Sequence, residues 1–215
     1  MMEDEELLSG PGGEIMAAGG VTHSREAIRA SEVVLAGGVI VYPTETVYGL
    51  GASILREEAI SRVFRIKKRP PSMPVFVAVS SYEMLERVAE MDDEQRHILE
   101  RILPGPVSVL IRRKSIVPDA LTAGSPLVGI RFPEHDLARE IIDSCGPITS
   151  TSANVTGSPP PARAAELSPE IAHAVDLVID GGRCRYAQPS TLLDLSARRV
   201  LRKGAGLEAV LRAIQ

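Results

Sequence analysis

Hydroxyl groups and cations, gathered in a few short segments, carry the chemistry this sequence offers. After the apolar run 38–42, TETVYGLGA places Thr44, Thr46 and Tyr48 beside flexible glycines. Each hydroxyl both donates and accepts, which suits a small polar ligand, although a plain polar turn has the same composition. RIKKRPPSMP sets Lys67 and Arg69 where prolines bend the chain. Lys67 falls four residues after Val63, so it continues a buried helical stripe, and a cation there is costly unless an anion meets it. This pair therefore points to phosphate or carboxylate binding, with Arg62 and Arg65 as the solvated part of the run. In VGIRFP, Val128 and Ile130 share one face, which turns Arg131 to the other, toward solvent or toward a site at the strand's end. Residues 149–154, TSTSAN, supply five hydroxyl or amide side chains in six positions. They either cap their own loop or cradle a phosphate or ribose. Ser190, Thr191 and Arg202 complete the set and are unremarkable taken singly.

Familiar catalytic patterns are missing from the sequence. The GxG of GLGA is followed by Ile54 where a dinucleotide-binding fingerprint needs glycine. There is no GxxxxGK[ST] loop and no GxSxG elbow. Cys145 and Cys184 lack CxxC spacing, and His23, His97, His135 and His173 form no ligand pair, so a protein-built metal site is not expected. With 44% hydrophobic and 24% charged residues in 215, the chain has ordinary globular composition. No apolar run approaches the ~18 residues of a membrane span, and the acidic start does not read as a signal peptide. A cytoplasmic protein with no membrane partner is the expectation. Aromatic residues at 3%, with no Trp, argue against stacking platforms for single-stranded nucleic acid. The net charge of −4 is unevenly spread: residues 1–14 hold five acids and no base, leaving 23 acidic against 24 basic residues.

Elements of one α/β domain must position these groups. Residues 1–22 read as a flexible arm and 23–215 as the domain. Helices are expected at 24–36, stopped by Gly37, then at 56–68, 81–89, 92–102, 136–144, from Ser168 onward, and over the amphipathic end of the chain. Strands are expected at 38–43, 75–79, 106–113, 128–133, from 147, and in DLVIDGG, STLLDL and RRVLRKG. Short turns between several strands favour a mixed sheet.

In this order the segments resemble the YrdC/TsaC family of threonylcarbamoyl-adenylate synthases. VYPTETVYGLGA, KxRP, LPGP, GIRFPEH, STSANVTG, DLVIDGG, PST and LRKG span about residues 24–214 and are far more specific together than singly. The resemblance implies an open, twisted mixed sheet with flanking helices around a concave, positively lined cavity, in the single-domain form. It implies an enzyme that joins L-threonine, bicarbonate and ATP, with Mg²⁺ carried in by ATP, to give threonylcarbamoyl-AMP and pyrophosphate. A downstream threonylcarbamoyl transferase complex would then modify tRNA.

Carried over by residue, the catalytic pairs fall on Lys67, Arg69, Ser152 and Asn154. ATP would be met by Arg69, Met73, Ser152, Pro160 and Arg202, with Lys67 near the phosphates and the reacting carboxylate. Threonine would be met by Thr46, Arg131, Ser150 and Ser190. Met73 stands where many members carry Asn, Ala78 where longer members carry His, and LRKG where LRPG is common. Two rivals are a carbamoyl-adenylate-forming domain of the hydrogenase-maturation type and a non-catalytic module binding tRNA or double-stranded RNA through the Arg62–Arg69 stripe.

Overall fold

Short apolar runs alternate with amphipathic segments, and each kind settles into the element its period dictates. The computed structural model describes residues 14–17 and 23–215. Among these, ten strands form a single sheet in the order β1-β8-β2-β3-β7-β4-β6-β5-β9-β10. The strands are β1 (Glu14–Ala17), β2 (Ile40–Tyr42), β3 (Gly49–Gly51), β4 (Phe76–Ala78), β5 (Val107–Arg112), β6 (Leu127–Arg131), β7 (Ile148–Ser152), β8 (Leu177–Asp180), β9 (Thr191–Asp194) and β10 (Arg199–Arg202). The sheet is open and mixed: β2/β8, β4/β6 and β5/β9 are parallel, whereas β2/β3, β3/β7, β4/β7, β5/β6 and β9/β10 are antiparallel.

Helices cover both faces, because successive strand residues point to opposite sides. On β2, Ile40 and Tyr42 join a core with α1 (His23–Leu35) and α6 (Asp136–Cys145), through Ala30, Val34, Ile141 and Ile142. The alternate residues Val39 and Val41 join a second core with α2 (Glu57–Ile66) and α7 (Pro169–Ala174), through Ala59, Val63 and Ile171. The remaining helices are α3 (Tyr82–Val88), α4 (Asp93–Glu100), α5 (Asp119–Thr122) and α8 (Leu207–Ala213). Ser81, Asp92 and Ser168 cap α3, α4 and α7 by accepting from backbone N–H groups, as their residue types favour.

Three elements depart from the sequence expectations. Glu14–Ala17, within the expected arm, is a strand parallel to β8, while residues 1–13 and 18–22 lie outside the described residues. The four-residue α5 is too short to show a helical period. Gly49–Gly51 reads as part of a turn yet forms β3, between β2 and β7. The Tyr42 ring explains the glycines: a Cβ at Gly49 or Gly51 would lie 3.1 or 3.0 Å from Tyr42 Cε1. Glycine inside a strand here marks the close approach of a ring.

The same device recurs at Gly129 of β6, where a Cβ would stand 2.1 Å from Phe76 Cδ1 on the neighbouring β4. Gly129→Ala is expected to destabilise the domain by ~1–3 kcal/mol through overpacking, read by urea denaturation. An unchanged midpoint would mean that Phe76 has free room to turn away.

Candidate functional site

Near the middle of the sheet the ends of several strands leave a cavity of about 190 Å³, or about 770 Å³ with its open mouth included. The β2–β3 connection brings Thr44 and Thr46 to it, β7 brings Ser150 and Ser152, and β5 and β6 bring Ser108 and Arg131. Arg69 arrives from the bend after α2, and Ser190 and Arg202 from the β9–β10 hairpin. Thus Thr46, Arg69, Arg131, Ser150, Ser152, Ser190 and Arg202, which come from distant segments, line one space.

The hydroxyls are pre-arranged in pairs. Thr44 Oγ1 donates to the Val47 carbonyl at 2.7 Å and lies 2.9 Å from Thr46 Oγ1. Its single proton is therefore used, and Thr46 is the donor between the two hydroxyls. Ser108 Oγ and Ser190 Oγ are 2.7 Å apart, and Arg202 donates to Ser190 through Nε to the carbonyl and Nη2 to Oγ, each at 3.2 Å.

The cations are aimed by backbone oxygens. Arg69 donates through Nε to Met73 O at 3.1 Å and through Nη2 to Pro74 O at 2.8 Å. The carbonyl of Met73, rather than its side chain, takes part, so the residue type there is not what aims Arg69. Burial lowers the pKa of both Arg69 and Arg202, and at Arg202 the neighbouring Arg131 charge adds to it. Arg131 is 5% exposed; its Nη1 donates to Gly105 O at 2.7 Å and to Val107 O, and its Nη2 to Glu45 Oε1 at 2.5 Å. Arg131 therefore faces the cavity and not open solvent. Glu45, 2% exposed, was not legible from sequence, because an acid between two threonines gives no sign of a partner 86 residues away.

Lys67 lies against the cavity wall at Ser152. It follows the buried stripe of α2, is 2% exposed, and does not line the cavity. Its ammonium donates to Ser152 O and, at 2.8 Å, to Asn154 O, while its own carbonyl accepts from Thr156 N at 2.8 Å. It thus buckles the 152–156 segment to the end of α2 and sets the wall that Ser152 presents. Carbonyl oxygens thus partner this buried ammonium. Asn154 turns its amide Nδ2 to Val155 O and Ser158 O, at 2.9 and 2.6 Å. Neither Asn154, Met73 nor Pro160 lines the cavity.

In the basic run Arg65 is exposed, and two other cations are paired. Arg62 pairs with Asp176 at 2.5 Å and Lys68 with Glu170 at 2.6 Å.

The Sua5/YciO/YrdC family model, described as telomere recombination, matches residues 32–204. A threonylcarbamoyl-AMP synthase of Pyrococcus abyssi is 37% identical over 162 residues, covering 74% of this chain and 48% of that protein. The chain thus spans about half the length of this relative. A threonylcarbamoyl-AMP synthase of Cellvibrio japonicus is 33% identical, covering 80% of this chain and 93% of that protein. Among solved structures, P. abyssi Sua5 complexed with L-threonine superposes with a TM-score of 0.83 at 33% identity, covering 88% of this chain and 57% of that one.

Burial, with the Arg69 charge second, draws the Lys67 amine down to about 8 from its ordinary 10.5. Between these values the unfolded chain holds a proton that the folded chain has released, so this group makes stability rise with pH. Wild type should therefore gain stability relative to Lys67→Met as pH is raised from about 8 toward 10.5. The check is a series of thermal melts of both proteins, and a pH-independent difference would reject the shift.

Proposed function

The chain belongs to the Sua5/YciO/YrdC family, and on that premise we propose that it is a threonylcarbamoyl-AMP synthase, a nucleotidyltransferase that condenses L-threonine, bicarbonate and ATP with release of pyrophosphate. The observation that carries this reading is the convergence of two residue sets on one cavity: Arg69, Ser152 and Arg202 for the nucleotide, and Thr46, Arg131, Ser150 and Ser190 for threonine. The enclosed 190 Å³ is below the ~300–1,000 Å³ of common ligand sites. It suits the amino acid and the reacting centre, with the rest of the nucleotide in the wider mouth.

Charge and position do the work. Threonine's neutral amine forms an N–C bond to the bicarbonate carbon, which loses a C–O bond as water leaves, giving a carbamate. A carbamate oxygen then attacks the α-phosphorus, displacing pyrophosphate. Both partners are anions, so their approach needs cations already aimed at the meeting point. Arg69 and Arg202, oriented by carbonyl oxygens, serve the nucleotide, and Arg131 serves threonine's carboxylate. Thr46 and Ser190 supply hydroxyls for the amino acid's polar groups. Lys67 acts from behind the wall by seating Ser152, and Asn154 shapes the same segment.

A resident Mg²⁺ does not fit the protein side of this site. Among the described residues no cluster of three or more His, Cys, Asp or Glu stands ready for a metal ion, and the charged groups lining the cavity are arginines. Mg²⁺ belongs with ATP as part of the substrate. The carbamoyl-adenylate hydrolyses readily, and a transferase complex acting on tRNA is the expected recipient, in the cytoplasm. Among the described residues no helix is long and apolar enough to cross a membrane.

Pyrophosphate release from ATP should require threonine and bicarbonate together. Arg69→Ala and Arg202→Ala should each lower kcat/KM by ~100-fold or more, as expected for removing a preorganised donor from a charged transition state. Release without threonine, or undiminished turnover in Arg69→Ala, would sink the proposal.

A further inference from the structure

Arg131, which lines the cavity, forms a pair with Glu45 at 2.5 Å, the two buried to 6% and 2% side-chain exposure. Guanidinium carries five donors in a fixed fork, and three interactions are already made: Nη1 to two carbonyls and Nη2 to Glu45. Among the described residues no other donor is bonded to the Glu45 carboxylate. Its second oxygen, Oε2, is buried without a hydrogen-bond partner, and the main chain is held separately, through Glu45 O accepting from Tyr186 N at 2.8 Å. A buried carboxylate with one oxygen left without a protein donor is an expensive way to hold a loop, so its effect lies in the charge it places beside Arg131.

That charge has a clear task. Arg131 and Arg202 both line the cavity, and the Arg131 charge is felt at Arg202. Two guanidinium groups converging in a partly dry site repel each other. We propose that Glu45 is a positioning residue for threonine, the counter-charge that holds Arg131 beside Arg202 and fixes the fork of Arg131 toward the substrate carboxylate. The inference rests on the reading of Arg131 as threonine's carboxylate partner. It has a definite sign. If the cavity merely collected anions by net positive charge, removing Glu45 would strengthen threonine binding. If Glu45 holds Arg131 in place, removing it weakens threonine binding.

The test is a double-mutant cycle of Glu45→Gln, which keeps shape and removes charge, with Arg131→Met, read as the KM for threonine, the KM for ATP and kcat in pyrophosphate release. Glu45→Gln should raise the threonine KM by ~10-fold or more, well beyond any change in the ATP KM. It should add nothing once Arg131 is Met. An unchanged or lower threonine KM in Glu45→Gln, equal rises in both KM values, or an additive effect in the double variant would overturn the inference. An unchanged threonine KM in Arg131→Met would instead overturn the carboxylate assignment beneath it. Should Glu45→Gln fail to fold, Glu45→Asp keeps the charge and shifts it by one methylene. The same selective rise in threonine KM, absent in the Arg131→Met background, would then support the inference, and its absence would overturn it.

Discussion

Crowding of positive charge around one small cavity is the constraint on which the rest of the structure depends. Arg69, Arg131 and Arg202 reach it from three separate parts of the chain, and isolated guanidinium groups at such quarters would repel and swing into water. The fold counters this with oxygens. Met73 O and Pro74 O hold Arg69, Gly105 O, Val107 O and Glu45 hold Arg131, and Ser190 holds Arg202. Most of these oxygens belong to the backbone, so the cations are aimed by where the chain runs. Anions entering the cavity then meet donors that need little reorganisation, the condition under which electrostatic stabilisation is largest.

The same economy governs the wall behind the cations. Lys67 sends its ammonium to the carbonyls of Ser152 and Asn154, which joins the end of α2 to the end of β7. Two segments that neither pair in the sheet nor follow one another are thereby tied at the cavity's edge. Glycine serves where an aromatic ring must come close: Tyr42 lies over Gly49 and Gly51, and Phe76 over Gly129. Phe76 itself lines the cavity. Core packing and site shape are therefore one problem here, and a methyl group added in the sheet is felt at the ligand.

Much of the fold could be read from the residues. The apolar periods located α1, α2, α4 and α6 and the strands β2, β4, β5 and β6 to within a few residues, because burial on one face imposes those periods. The strand β3 could not be read that way, since its glycines answer to the ring of Tyr42, a neighbour that only the sheet register supplies. At the site, Arg131 could be turned to one face of its strand by alternation, but whether that face met solvent or a cavity depended on strands β4 and β5 beside it.

The sequence by itself determined which groups are available: hydroxyls after β2 and in β7, cations at the α2 bend and the strand ends, no metal-ligand spacing and no nucleophile–base set. It also determined, through the buried stripe of α2, that Lys67 points inward. Tertiary structure alone decided what each charge meets, since Coulomb and hydrogen-bond partners are set by distance in space and not along the chain. It gave Lys67 two carbonyls, aimed Arg69 and Arg202 into the cavity, and set Glu45 against Arg131 across 86 residues.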